Sequence, residues 1–221
     1  MTTARYDGHA DWYESWATTD GASALAAARD TLTELLPDGP GTALDIGCGT
    51  GLHADAVRQR GFAVLGLDVS SDQLRWAAGR LPDVRADATA LPVRDGSVSL
   101  AFSVLTHTDL ASFPALVGSA VQALALGGCF VYVGVHPCFV HPFAQFDQDA
   151  VTVHAGYRLE GWVAMTPFTG DAVRAKVGVH HLPLEALLSS FLRADAVLER
   201  LIERGGAAVP ALLGVRLRRR A

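Results

Sequence analysis

Cysteine is scarce in this chain of 221 residues. Cys48, Cys129 and Cys138 are odd in number, and none stands in a Cys-x-x-Cys spacing. That excludes a disulfide scaffold and a thiolate zinc site, and it points to free thiols in a reducing compartment, the cytoplasm. Positive charge is also short: 18 Lys and Arg against 23 Asp and Glu leave a net charge of −5 and a pI near 5.9. A nucleic-acid partner, which calls for a basic face, is therefore not expected. The exception is Arg216, Arg218, Arg219 and Arg220, which read as the charged end of an edge strand. A secretory leader is not expected either, because Met1 to Trp16 is polar and aromatic with acids mixed in. Between Asp109 and Asp147 there is no Lys, Arg, Asp or Glu at all. The stretch is long enough to span a bilayer, but Gly127-Gly128, Pro137 and Pro142 interrupt it. A buried helix followed by a central strand produces the same pattern, so no membrane span is expected. Internal repeats, heptads and low-complexity runs are lacking.

Half of the residues are hydrophobic, and the length suits one domain with a large core. Helix and strand signals alternate. Asp7 to Trp16 and Ala22 to Leu36 read as helices, the second ended by Pro37-Asp38-Gly39-Pro40-Gly41. Thr42 to Ile46 is a strand, Leu52 to Arg60 a helix, Phe62 to Leu67 a strand ending at Asp68. Ser70 caps a helix over Asp72 to Arg80. Strands at Asp83 to Ala86 and Ser97 to Leu105 follow, then a helix over Phe113 to Leu126, which Gly127-Gly128 turns into a strand, Cys129 to Val135. This alternation predicts right-handed crossovers and a parallel sheet. After a helix at Pro183 to Leu192, the strands Val197 to Glu203 and Val209 to Arg218 are joined too closely for a crossover, so they should be antiparallel neighbours.

The most informative segment is Leu44-Asp45-Ile46-Gly47-Cys48-Gly49-Thr50-Gly51-Leu52. Glycines on alternate positions let a strand turn sharply into a helix and let a ligand lie against bare backbone. A dinucleotide fingerprint wants a small residue where Leu52 stands, and an acid directly before the loop suits an ammonium better than a pyrophosphate. Two further acids fall at the ends of the next strands. Asp68 is placed to accept from both ribose hydroxyls, and Asp87 from an adenine amino group, with the Ala88 N–H free for the ring nitrogen. A charge-assisted hydrogen bond contributes roughly 1.5–3 kcal/mol, so two or three would hold a nucleoside without phosphate contacts.

The glycine loop, the later acids and Asp87-Ala88-Thr89-Ala90-Leu91-Pro92 followed by Asp95-Gly96-Ser97-Val98 resemble the small-molecule, ubiquinone-type branch of the class I S-adenosylmethionine-dependent methyltransferases. That branch has Phe-Asp where Val98-Ser99 stand here. The resemblance covers about Tyr6 to Val135. It implies a Rossmann-like seven-stranded, mostly parallel sheet with helices on both faces and an antiparallel C-terminal hairpin. It also implies one methyltransferase domain over 1–221: N-terminal lid helices at 1–36, a cofactor-binding core at 41–135, an inserted substrate cap at 136–182, and a C-terminal helix and hairpin at 183–221. S-adenosyl-L-methionine is the implied cofactor and S-adenosyl-L-homocysteine its product. By the same resemblance Asp45, Gly47 and Gly49 take the methionine end, Asp68 and Val69 the ribose and adenine, Asp87 and Ala88 the adenine, and the Ser103 and Val104 carbonyls the ammonium. Tyr6 and Tyr13 match a segment that folds over the cofactor.

Methyl transfer to an oxygen or nitrogen needs positioning and, for a protonated nucleophile, a base. Histidine has the suitable pKa. His107, just after the fourth strand, is the expected base, with His136 second. His141, Phe143, His180 and His181 are expected to face substrate, and no metal is expected. Phe143 to Val179 holds Phe146, Tyr157, Trp162, Met165 and Phe168 and reads as an apolar cover over a small, partly lipophilic acceptor of secondary metabolism. The protein is expected to be a monomer or homodimer. Two other readings keep the fold: an enzyme using the cofactor for a cyclisation or other non-methylating step, and a non-catalytic binding or regulatory subunit.

Overall fold

The computed structural model describes residues 4–140, 142–147, 150–164, 166–167 and 173–220. Two helices, α1 (Ala10–Thr18) and α2 (Ala22–Leu35), precede an alternating core: β1 (Gly41–Ile46), α3 (Ala54–Arg58), β2 (Phe62–Asp68), α4 (Ser71–Ala77), β3 (Asp83–Arg85), β4 (Val98–Val104), α5 (Phe113–Ala123) and β5 (Leu124–Val135). Then come β6 (Ala144–Asp147), β7 (Ala150–Val153), β8 (Gly161–Val163), α6 (Val173–Val177), β9 (Val179–His181), α7 (Leu184–Leu192), β10 (Ala196–Arg204) and β11 (Leu212–Arg219).

Seven strands form one sheet in the order β10-β11-β5-β4-β1-β2-β3. The pairs among β1 to β5 are parallel, and β11 runs antiparallel to both β5 and β10. The strand order reverses between β1 and β4, the point at which an open α/β sheet opens a crevice at its carboxyl ends. The central strands are buried on both faces, and their near-continuous apolar runs separate two core clusters. One holds Leu44, Ile46, Phe113, Phe130, Tyr132 and Phe191; the other holds Leu32, Leu35, Phe62, Leu100, Phe102 and Val131.

The expected elements are present, with informative shifts. Ser70 caps α4 by accepting from the Gln73 N–H. Helix α5 stops at Ala123, earlier than the Gly127-Gly128 signal suggests, and β5 begins at Leu124. The two glycines lie in an irregularity of the β4–β5 ladder, where Val98 pairs with Leu124 but Leu100 pairs with Cys129. Between them, α5 and β5 account for most of the uncharged stretch, and no described helix is long and apolar enough to cross a membrane.

One placement is corrected. β11 is an interior strand, not an edge strand; β10 takes the edge. Its arginines are engaged within the chain. Arg216 and Arg218 both pair with Glu199, Arg218 donates to the Gly127 carbonyl at 2.7 Å, and Arg219 donates to the Gln122 carbonyl at 2.9 Å.

Candidate active site

The turn after β1 carries the first part of the site. The N–H groups of Gly47 and Cys48 both donate to the Leu67 carbonyl, at 2.8 and 3.0 Å, which pins the loop to the end of β2. Gly47 has φ +73°, and a Cβ there would lie 2.4 Å from Thr106 Cγ2, so only glycine fits. Asp45 enters the turn 2 % exposed, and its Oδ2 has no hydrogen-bond partner among the described residues. Burial, reinforced by the nearby charge of Asp68, holds its carboxyl well above the usual range. A buried acceptor with nothing to accept from is the feature a cationic ligand would complete.

Asp68 is built in differently. Its Oδ2 accepts from the Gly49 N–H and its Oδ1 from the Ser70 N–H, both at 2.8 Å. Burial raises its carboxyl, and these two donors partly offset the effect. Each oxygen keeps a lone pair for a ligand hydroxyl. Asp87 accepts from the Thr89 N–H at 2.9 Å and hydroxyl at 2.7 Å, a local turn that orients it beside Ala88. Asp45, Gly47, Gly49, Asp68, Val69, Asp87 and Ala88 all line one cavity of about 610 Å³, within the size range of small-molecule sites. Val104 lines it too; Ser103 lies beneath, fully buried with an unpartnered hydroxyl.

Tyr6 and Tyr13 form another wall, edge to face at 5.7 Å. The segment carrying them is fastened to α4 by exchanged caps. Asp72 accepts from the Gly8 and Ala10 N–H groups at 2.9 and 3.2 Å, while Asp7 accepts from the Ser70 hydroxyl at 2.6 Å and the Asp72 N–H at 3.3 Å. Arg80 adds a two-pronged contact to Glu14, 2.7 Å on each prong, and donates to the Thr50 carbonyl at 2.8 Å. This external capping explains why α1 begins at Ala10 rather than Asp7.

The segment after β4 closes the opposite side. Leu105 has φ +59°, the sole non-glycine in the left-handed region among the described residues, and it lines the cavity. Strain at such a residue is characteristic of functional turns. Next to it, the Thr106 hydroxyl donates to the Val104 carbonyl at 3.1 Å. Asp109 accepts from Arg174 at 2.7 Å across 65 residues, and both face the cavity.

The expected histidines are placed elsewhere. His107 is buried behind the wall: its Nδ1 shares a 2.8 Å hydrogen bond with the Tyr132 hydroxyl, and its ring packs edge-on against Phe113. Burial, with Arg174 adding to it, lowers its pKa to about 3. Gly134 leaves room for this pair, since a Cβ there would sit 1.9 Å from the Tyr132 hydroxyl. His136 is also buried. Its Nδ1 accepts from the Cys138 N–H at 3.3 Å, so Nε2 carries the proton and donates to Glu203 at 2.9 Å. His181 donates through Nε2 to the Tyr157 carbonyl at 2.8 Å and meets Phe143 edge-on at 5.0 Å. His180 is half-buried on β9. Among the described residues the cavity lining includes none of His107, His136, Phe143, His180 and His181. His141, Met165 and Phe168 lie outside the described residues. No three described His, Cys, Asp or Glu side chains gather as a metal site.

Sequence reading did not single out several cavity residues, among them Gln73, His53, Asp109 and Arg174. Gln73, 3 % exposed with both amide atoms unpartnered among the described residues, was legible only as an interior position of α4. His53 closes the glycine loop, with an unpartnered Nδ1 and a pKa that burial lowers to about 4. Asp109 lies two residues from His107 and, like Arg174, stands in no motif.

Comparison with known proteins agrees with this geometry. A family model described as a methyltransferase domain matches residues 44–132. The fold is similar to an S-adenosylmethionine-dependent methyltransferase from Mesorhizobium loti, with TM-score 0.71 and 26% identity over 86% of this chain and 96% of that one. A SAM-dependent methyltransferase from Thermotoga maritima superposes with TM-score 0.69 and 17% identity over 98% of each chain. Geranyl diphosphate C-methyltransferase from Streptomyces coelicolor, solved with Mg2+, geranyl diphosphate and S-adenosyl-L-homocysteine, gives TM-score 0.64 and 13% identity over 86% of this chain and 78% of that one. No curated protein matches. The glycine turn, the buried Asp45 and Asp68 are compatible with a nucleoside that carries an ammonium; the chain carries a methyltransferase domain over residues 44–132 and has the fold of the S-adenosylmethionine-dependent methyltransferases, with S-adenosylmethionine as cofactor.

Proposed function

We propose that the protein transfers a methyl group from S-adenosylmethionine to an oxygen or nitrogen of a small, partly apolar molecule. The observation that carries the reading is the buried Asp45, its Oδ2 without a partner among the described residues, in a cavity whose remaining wall is largely apolar, with Trp16, Leu105, Leu110, Val135, Val140 and Val173. When bound, the cofactor supplies an activated methyl on a sulfonium. Asp45, Asp68 and Asp87 hold its ammonium, ribose and adenine; Tyr6 and Tyr13 exclude water above it. The protein's contribution is to keep the acceptor in line, and positioning of this kind is worth roughly 7–11 kcal/mol. We assign His107 and His136 to support, since His107 is buried outside the cavity lining with Nδ1 bonded to Tyr132, and both ring nitrogens of His136 are committed, to Cys138 and Glu203. The 136–182 segment, with its antiparallel β6–β7 and β8–β9 pairs and with Tyr157 tied to His181 on β9 and to Leu184, covers the acceptor in this reading.

Calorimetry should show 1:1 binding of S-adenosylhomocysteine and none of NAD. Incubation with S-adenosylmethionine and a library of small hydroxyl and amine compounds should yield S-adenosylhomocysteine and a methylated product. NAD binding without adenosyl binding would overturn the assignment. Cofactor binding with an isomerised acceptor and no demethylated product would point to non-methylating chemistry.

A further inference from the structure

The cavity is electrically lopsided. Three of its acids, Asp45, Asp68 and Asp87, belong to the cofactor's end. Among the described residues its cations are Arg5 and Arg174, and they stand with a fourth acid, Asp109. Arg174 and Asp109 are only 14 % and 17 % exposed. Bringing two charges out of water is costly, and a buried ion pair is weak evidence for stability by itself. The pairing is also incomplete. Among the described residues only Nη1 of Arg174 is used, donating to Asp109 at 2.7 Å and to the Gly178 carbonyl at 3.4 Å. Among the described residues Nε and Nη2 have no partner, and they form the edge of a guanidinium that matches a carboxylate with two parallel hydrogen bonds. The phenols of Tyr6 and Tyr13 feel the same cation, which pulls against the rise that burial imposes on both. Arg5, stacked 3.2 Å over the Trp162 ring, adds a second positive charge at this end.

We infer that Arg174 is the anchor for a carboxylate on the methyl acceptor: the substrate is a small, apolar carboxylic acid, held by the open edge of the guanidinium while Asp109 fixes its orientation. The inference rests on the methyltransferase reading and deepens it by naming the acceptor's chemical class. Asp109 is then a positioning residue. Its pairing through a single nitrogen turns the free edge of Arg174 into the cavity, and the surplus positive charge is neutralised when the acid binds.

The test uses the full chain saturated with S-adenosylhomocysteine and titrated with benzoate, phenylacetate and octanoate, each beside its own primary amide. At least one acid should bind the wild type about tenfold or more tighter than its amide, as expected of a bidentate charge-assisted pair. Arg174→Lys keeps a charge opposite Asp109 but removes the fork, and it should cut that preference to about threefold or less. Because Arg174→Gln alone would strand a buried carboxylate, the second variant is the double Asp109→Asn/Arg174→Gln, which should abolish the preference. Both variants should bind S-adenosylhomocysteine within about threefold of wild type. The inference is overturned if no acid outbinds its amide, or if the preference survives in both variants. It is equally overturned if S-adenosylhomocysteine affinity itself collapses in both, because Arg174 would then be holding the cofactor's carboxylate. Failure of the wild type to bind S-adenosylhomocysteine would instead bring down the underlying reading.

Discussion

Replacing Asp45 by Asn should make the free protein more stable and the complex weaker. The side chain is 2 % exposed, its Oδ2 lacks a partner among the described residues, and burial with the charge of Asp68 raises its carboxyl pKa. In the unfolded chain an aspartate titrates near its ordinary value of about 3.9. The folded state therefore binds the proton more tightly. Stability from this group is fully present below the unfolded pKa and falls as pH rises through the raised folded value. Asn removes the charge while keeping the shape, so its advantage should be small at pH 5 and grow by pH 8. A gain of about 1–2 kcal/mol, roughly 3–6 °C in Tm, follows from an unpaired buried polar group. The cofactor ammonium, in contrast, loses a charged acceptor, an effect of about 1.5–3 kcal/mol or roughly 10- to 150-fold in Kd. The wild type should also release a proton on binding, seen as a calorimetric enthalpy that depends on the buffer, with affinity rising with pH; the variant should do neither through this group. Scanning fluorimetry and titration with S-adenosylhomocysteine at pH 5.5, 7 and 8.5 measure both effects. A variant that binds within threefold of wild type, or that melts lower at pH 8, would refute the reasoning.

Asp68→Ala should damage both binding and folding, because its carboxylate accepts the Gly49 and Ser70 N–H groups as well as facing the cavity; we expect Tm without ligand to fall by roughly 5–10 °C, for about 2–3 kcal/mol, and an unchanged Tm would show that the loop is held by other contacts. His107, with its pKa lowered to about 3, stays neutral when folded. Stability from it is present above the unfolded histidine pKa and is lost as pH falls from about 6.5 towards 3, on the order of 2 kcal/mol by pH 5; His107→Gln should flatten that acid decline in Tm, and turnover per folded molecule should show no new inflection between pH 6 and 9. Arg80→Ala removes the two-pronged hold on Glu14; amide exchange across residues 7–16 should accelerate and S-adenosylhomocysteine should dissociate about three- to tenfold faster, and unaltered exchange would mean that the caps at Asp7 and Asp72 hold the segment alone.

Local signals in the chain were enough for the sheet and for which acids and glycines meet at its carboxyl ends. Alternating glycines after an apolar run, and acids at the ends of the next two strands, are determined by backbone sterics and by the 2.0 and 3.6 periodicities, all of which act over a few residues. Asp45, Gly47, Gly49, Asp68, Val69, Asp87 and Ala88 duly share one cavity. The short link between β10 and β11 predicted their antiparallel pairing in the same local way. What lies beyond the cofactor depended on contacts between distant parts of the chain. Whether a histidine after a strand faces a cavity or the core is decided by which side chains pack beside it. Tyr132, 25 residues on, draws His107 inward, and Glu203, 67 residues on, holds His136. Helix α1 takes its cap from Asp72, and Arg174 meets Asp109 from 65 residues away. The tertiary fold alone sets these pairings, because a buried polar group is paired by whatever packs beside it, regardless of distance along the chain.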